Sequence, residues 1–281
     1  MNFVFGDLRI RIRVMLEVIM VSLEKILNDV KNWVREVGQI QKENLRKENM
    51  IINTKSSEID LVTEIDELSE KVLINAIREK YPEHSILSEE SGEHKSVNSE
   101  YLWIIDPLDG TTNYAQGLPI FAISIALQYQ RETVLGVVYV PMLDLLFEAI
   151  RGQKAFLNGK RIEVAGKQNL KESLLSTGFP YDQQSNHDNN TNYFAYFVPR
   201  ARGLRRLGSA AYDLANIAAG VLDGYWELNL SIWDVAAGIL LVEEAGGKVI
   251  MLDDKRGVSL IAGNTNIAEQ IHRAITELNE E

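Results

Sequence analysis

Two carboxylates, a glycine and two hydroxyls share one short run of this chain, Trp103-Ile104-Ile105-Asp106-Pro107-Leu108-Asp109-Gly110-Thr111-Thr112-Asn113-Tyr114. Asp106 and Asp109 offer hard anionic oxygens, which suit magnesium or another hard divalent cation. Gly110 lets the backbone approach a bound anion, and the amides of Gly110, Thr111 and Thr112 are candidate donors to a phosphate. The pattern is that of a metal site beside a phosphate cradle. A plain Asp-Gly turn would explain Asp109 and Gly110 alone, but it leaves the second acid and the two threonines without a reason. An EF-hand is excluded, because that loop needs acids at alternate positions and a late Glu.

Other acids stand at the ends of expected elements. Glu89 and Glu90 follow the short stretch Ser85 to Ser88, where a solvated acidic turn running on to Glu93 is the competing explanation. Asp234 opens Val235-Ala236-Ala237-Gly238-Ile239, where a helix dipole favours a negative group; an N-cap and a metal ligand are compatible there, since a carboxylate has more lone pairs than one amide uses. Gly208-Ser209-Ala210-Ala211 opens a second helix with small residues and leaves its first amides open to phosphate. Thr63 and Asp66 have the Thr-x-x-Asp spacing of a helix cap. Lys55, with Ser56 and Ser57, precedes them in a polar loop.

The elements that must position these groups follow from periodicity. Ile26, Leu27, Val30, Trp33, Val34 and Val37 predict a long amphipathic helix from Val21 to about Arg46, and a second helix covers Glu64 to Lys80, with Leu68, Val72, Leu73, Ala76 and Ile77 inward and Pro82 as its stop. Strands are expected at 85–88, 101–105, 121–129, 133–140, 145–150 and 154–164, the last folded at Asn158-Gly159. Pro107 is expected to end the 101–105 strand, so that Asp106 emerges at its rim. Beyond residue 166 helices alternate with short strands: helices near 190–198, 209–219, 234–244 and 265–278, strands at 174–176, 225–228, 248–251 and 260–262. The fold class is α+β, with an antiparallel sheet in the first half and a mixed sheet in the second.

The chain has 281 residues, 46% of them apolar and 25% charged, with no repeat or low-complexity tract, so a compact soluble protein is expected. The expected organisation is an N-terminal extension over 1–20, with Met20 as a candidate start, an α+β half over 21–165 carrying most of the metal ligands, and an α/β half over 166–281 completing the site. A net charge of −11 disfavours nucleic acid as the main partner and agrees with a cation-dependent enzyme. The absence of cysteine excludes disulfides and thiolate chemistry and makes cytoplasm the expected compartment. The apolar part of 1–20 contains Glu17 and is too short to span a membrane.

From Val21 onward the chain resembles the inositol monophosphatase family, within the magnesium-dependent, lithium-sensitive sugar phosphatase superfamily. Trp103 to Tyr114 is similar to the family's first signature, and Trp233-Asp234-Val235-Ala236-Ala237-Gly238, with Glu244-Ala245-Gly246-Gly247, to its second. The resemblance implies a layered αβαβα sandwich of the sugar phosphatase type. It implies two or three Mg2+ held by Glu89, Asp106, the Leu108 carbonyl, Asp109 and Asp234, and a water oriented by Glu89 and by Thr111 with Asp66 as its partner. Substrate contacts are implied for Leu108, Asp109, Gly110, Thr111, Gly208, Ser209, Ala210, Glu227 and Asp234, and Lys55 falls where the family has a lysine on a mobile loop. The reaction implied is hydrolysis of inositol monophosphate to inositol and phosphate by metal-activated water, in a homodimer. Thr112-Asn113-Tyr114 looks like the inositol monophosphatase form of the signature. Two alternatives stay open. Arg205, with Arg202 and Arg206, is a candidate contact for a second phosphate, which would make the enzyme a fructose 1,6-bisphosphatase or a bifunctional sugar-phosphate phosphatase. Some bacterial relatives act as binding factors in transcription or ribosome maturation.

Overall fold

Ile26, Val30, Trp33, Val34 and Val37 lie on one stripe of a 3.6-residue period, and together they are the buried face of helix α1 (Phe3–Asn44). The computed structural model describes residues 3–48, 50–55, 60–183, 186–253 and 255–280, with residues 3–21 described by their backbone alone. Helix α1 is longer than the helix predicted from Val21, the backbone of 3–20 continuing it toward the N-terminus with no proline to interrupt it.

An antiparallel ribbon of β1 (Ile52–Thr54) and β2 (Leu61–Thr63) leads into α2 (Glu64–Lys80). The bounds of α2 agree with the periodicity, and so does its inner face at Val72, Leu73, Ala76 and Ile77; the exception is Leu68, which is exposed, whereas Ser69 and Glu70 are buried. The cause is a set of polar partners on that face. Glu70 Oε1 accepts the amides of Glu90 at 3.0 Å and Ser91 at 3.1 Å, and Ser69 Oγ accepts from Gln41 Nε2 at 3.2 Å. The inner face of α2 thus holds the turn that carries Glu89.

The large sheet contains β3 (Ser85–Ser88), β4 (Gly92–His94), β5 (Tyr101–Asp109), β6 (Ala122–Tyr129), β7 (Glu132–Val140), β8 (Leu145–Ile150), β9 (Ala155–Leu157) and β10 (Lys160–Ile162), with the short helix α3 (Thr111–Ala115) between β5 and β6. Its order is β10-β9-β8-β7-β6-β5-β3-β4, antiparallel throughout except for the parallel pair β3 and β5. Asn158 and Gly159 both have positive φ and close the hairpin of β9 and β10, as their dipeptide suggests.

The second half supplies β11 (Leu174–Thr177), α4 (Thr191–Phe197), β12 (Gly203–Arg205), α5 (Ala210–Ala218), β13 (Gly224–Leu230), α6 (Ile232–Glu244), β14 (Lys248–Leu252), β15 (Val258–Gly263) and α7 (Thr265–Glu280). The smaller sheet is mixed: β12, β11 and β13 are parallel, and β15 and β14 continue it antiparallel.

Strand alternation sorts the core into layers. Trp103, Ile105, Ile123 and Val137 face α1 and α2, whereas Ile104, Ala126, Val138 and Phe147 face α5 and α6. On the second sheet Leu260 and Ala262 meet α5 and α6 from the other side, while Trp226, Leu228 and Ile261 pack on α7 and Phe197. The result is an αβαβα sandwich. Among the described residues no helix is long and apolar enough to cross a membrane.

Candidate active site

Strand β5 does not stop at Asp106. It runs to Asp109 through a bulge, because Asp106 pairs with Ser124 and Asp109 with Ala122, so that Pro107 and Leu108 together oppose Ile123 alone. A bulge accommodates a proline, which has no ladder hydrogen bond to give, and it re-aims the neighbouring side chains. Asp106 Oδ1 accepts the Leu108 amide at 2.9 Å, and Gln41 of α1 donates to the Pro107 carbonyl at 2.8 Å. Gly110 then turns the chain at φ +100 into α3; a Cβ there would lie 3.1 Å from the Gly208 and Ile120 carbonyl oxygens.

Two more acids are aimed by helix starts. Asp66 and Asp234 each occupy the third position of a helix whose N-cap is a hydroxyl residue, Thr63 or Ser231. Asp234 therefore does not open its helix, as its sequence context suggested, because α6 begins two residues earlier. In both, one carboxylate oxygen closes the capping box: Asp66 Oδ2 accepts Thr63 N at 2.9 Å, and Asp234 Oδ2 accepts Ser231 N at 2.7 Å. The other oxygen is left for a distant partner. Asp66 Oδ1 accepts the Thr111 hydroxyl at 2.8 Å, so capping and site formation are served by one side chain.

Asp109 joins the two halves of the site. Its carboxylate accepts Ser209 Oγ at 2.6 Å, Ala211 N at 2.7 Å and Ala210 N at 3.3 Å. The first amides of α5, expected to be open to phosphate, thus hold Asp109. Glu89 Oε1 is met by Lys55 Nζ at 2.7 Å, and the same ammonium reaches Glu90 at 2.6 Å. Burial works to lower the Lys55 pKa, but the two carboxylates outweigh it and raise it. Glu90, mainly through burial, is pushed up to about 7.

Glu89, Asp106, Asp109, Asp234 and Leu108 line one cavity of about 830 Å³, together with Lys55, Gly110, Thr111, Gly208, Ser209, Ala210 and Glu227. Asp66 lies behind it, fully buried, and burial raises its carboxyl above the usual range. Arg205 is exposed on β12 and its guanidinium donates to the Leu204 carbonyl; its neighbour Arg206 lines the cavity. Trp233, from the second signature, also lines it, as do Phe179 and Tyr181, which carry no sequence signature, although 178–181 follow a parallel strand at its C-terminal end, where ligands gather in α/β sheets.

The donor set fits a hard divalent cation: four carboxylates and a backbone carbonyl, all oxygen, from residues lining one cavity. Burial and then repulsion from Glu89, Asp109 and Asp234 hold the Asp106 carboxyl well above its usual range, and Asp234 is raised by burial, Glu89 and Asp109. Asp109 is pushed up only to about 6, since Ser209 and the Ala211 amide offset its burial. Bound positive charge would relieve that repulsion. Among the described residues no three such side chains already close on a single point as a ready ligand cluster. Lys55 engages Glu89, and the start of α5 engages Asp109.

The sequence pattern of the inositol monophosphatase family matches residues 22–280. The chain belongs to this family. An inositol-1-monophosphatase of Mesorhizobium japonicum is 37% identical over 259 residues, 91% of this chain and 94% of the relative. A protein named Nus factor SuhB, from Pseudomonas aeruginosa, is 42% identical over 231 residues, 81% of this chain and 85% of the relative. The inositol monophosphatase structure of Anabaena superposes with a TM-score of 0.81 at 39% identity, covering 91% of this chain and 97% of its own. An IMPase/NADP phosphatase complexed with Mg2+ and phosphate superposes with a TM-score of 0.77 at 25% identity, over 89% and 94% of the two chains.

The inositol monophosphatase pattern begins at residue 22 and leaves the N-terminal stretch outside it. The two segments similar to the family signatures, 103–114 and 233–247, meet across the cavity through Asp109, Thr111, Trp233 and Asp234.

Proposed function

We propose that this inositol monophosphatase family member hydrolyses phosphate monoesters of hydroxylated rings, inositol monophosphate foremost, with magnesium bound by Glu89, Asp106, Asp109, Asp234 and the Leu108 carbonyl. Bound magnesium would supply positive charge to the phosphoryl oxygens and acidify water. The observation that carries the reading is the Thr111 hydroxyl bonded to Asp66 at the edge of a cavity lined by Glu89, Asp106, Asp109 and Asp234.

Thr111 spends its hydrogen on Asp66 and keeps its lone pairs for an incoming water. Thr111 Oγ1 and the Glu89 carboxylate, both acceptors, hold the two hydrogens of that water and turn its lone pair toward phosphorus. The new P–O bond forms as the ester P–O bond breaks; the hydroxyl goes to phosphorus and the proton ends on the departing alcohol. Amides of Gly110 and Thr111, with Gly208, Ser209 and Ala210 opposite, border the phosphate, and Glu227 accepts ring hydroxyls. Lys55 is a counter-ion to Glu89 and Glu90. A homodimer is the assembly this reading carries with it.

Phosphate release from a panel of inositol, fructose and adenosine phosphates, with magnesium and after chelation, tests the reading. Release from inositol monophosphate that depends on magnesium is expected; equal release after chelation, or none from any polyol ester, contradicts it. Arg206 at the cavity favours one second reading, a sugar bisphosphate whose other phosphate meets that guanidinium. A higher kcat/KM for fructose 1,6-bisphosphate than for inositol monophosphate would favour it. The name of the P. aeruginosa relative favours a binding role in transcription, and retention of RNA polymerase components by the Asp109→Asn variant would support that.

A further inference from the structure

Strand β13 divides its side chains between two layers. Trp226 and Leu228 face α7, whereas Tyr225 packs toward α5 and α6 and Glu227, two residues on, reaches the cavity from the same face. Tyr225 is fully buried, and its phenolic hydroxyl donates to Glu227 Oε2 at 2.5 Å. The parallel pairing of Thr177 with Trp226 brings Gly178 alongside the same carboxylate. A Cβ on Gly178 would lie 2.0 Å from Glu227 Oε1 and 2.2 Å from its Cδ, so any side chain there would displace the acid.

Glu227 is thereby held by a phenol at one oxygen, while Gly178 leaves the space that the other occupies. A glutamate has three rotatable bonds, and an unrestrained one would lose part of its binding energy in becoming ordered. Tyr225 takes one lone pair of the carboxylate and leaves the rest to accept from hydroxyl groups in the cavity. An acceptor held in this way rejects esters without a facing hydroxyl, because they leave a buried polar group unpaired.

We propose that Tyr225 is a positioning residue that sets substrate specificity: acting through Glu227, it selects phosphate esters whose alcohol carries ring hydroxyls over esters whose alcohol carries none. This rests on the polyol phosphatase reading. Burial holds the Tyr225 phenol well above its usual pKa, so it stays a donor through the working pH range.

Steady-state kinetics with inositol monophosphate and with phenyl phosphate, in wild type, Tyr225→Phe, Glu227→Gln and the double variant, test it. Tyr225→Phe removes one oxygen from a buried ring, and urea unfolding checks that the fold survives. The expected result is a KM for inositol monophosphate raised about 5- to 20-fold with kcat within about twofold, while kcat/KM for phenyl phosphate changes by less than about twofold. In the Glu227→Gln background the same substitution should add nothing. Equal losses on both substrates, no loss on either, or a loss that persists in the Glu227→Gln background overturns the proposal. A wild type that prefers another sugar phosphate to the inositol ester contradicts the substrate reading alone. The same cycle, run on that sugar phosphate, then still decides the role of Tyr225.

Discussion

The hydroxyl of Thr111 donates to Asp66 Oδ1 at 2.8 Å, across 45 residues of sequence, while Asp66 Oδ2 is occupied by the Thr63 amide at 2.9 Å. The Thr111 oxygen therefore has only lone pairs left to offer to the cavity. Replacing Thr111 with Val removes that acceptor at nearly constant volume. Steady-state phosphate release should show kcat reduced about 10²- to 10⁴-fold with little change in KM; an unchanged kcat would remove Thr111 from the mechanism.

Asp109 is both a candidate ligand and the anchor of α5, so Asp109→Asn should act twice. Loss of the charge-assisted bonds from Ser209 and Ala211 is expected to cost about 1–3 kcal/mol in urea unfolding. Saturating magnesium should raise the melting temperature of wild type and leave that of the variant nearly unmoved, since only a bound ion stabilises the folded state. An equal shift in both would exclude Asp109 from the ion site.

Gly110 combines φ +100 with backbone oxygens 3.1 Å from where a Cβ would stand. Gly110→Ala should destabilise by about 1–3 kcal/mol, more than the exchange costs in a relaxed loop, because strain and crowding add. Denaturant midpoints of the two proteins decide it.

His84, which does not line the cavity, gives a pH dependence of its own. Its Nδ1 accepts the Trp103 indole N–H at 3.1 Å, and its ring stacks on Tyr101 with centroids 4.4 Å apart, an arrangement that requires the neutral imidazole. Burial lowers its pKa below the ordinary 6.5. Between the lowered value and 6.5 the unfolded chain binds the extra proton, so this contribution to stability is complete above 6.5 and is lost as pH falls below it. Urea midpoints should fall between about pH 7.5 and about pH 5.5, and less steeply in His84→Gln, where nothing titrates. Parallel profiles would assign the slope to other groups.

Most helices, the strand alternation and the presence of a metal-type carboxylate set are legible in the sequence, because periodicity and turn chemistry act over a few residues. The hairpin at Asn158-Gly159 and the bounds of α2 are of this kind. The first turns of α2 are not: Leu68 is exposed and Glu70 buried because Glu70 serves the amides of Glu90 and Ser91, partners 20 and 21 residues away. Pro107 reads as a strand end, yet β5 passes through it, since β6 accepts a bulge.

By itself, the sequence determined the layered α+β class, the acids and hydroxyls available for chemistry, and the family. Tertiary structure alone decided which of them meet. Asp109 is held by Ser209 across 100 residues, Asp66 faces Thr111 across 45, and Arg206 rather than Arg205 reaches the cavity. Local spacing fixes the direction of a side chain only relative to its own element. The relation between elements is set by how their apolar faces pack, and the site forms where that packing leaves a polar gap.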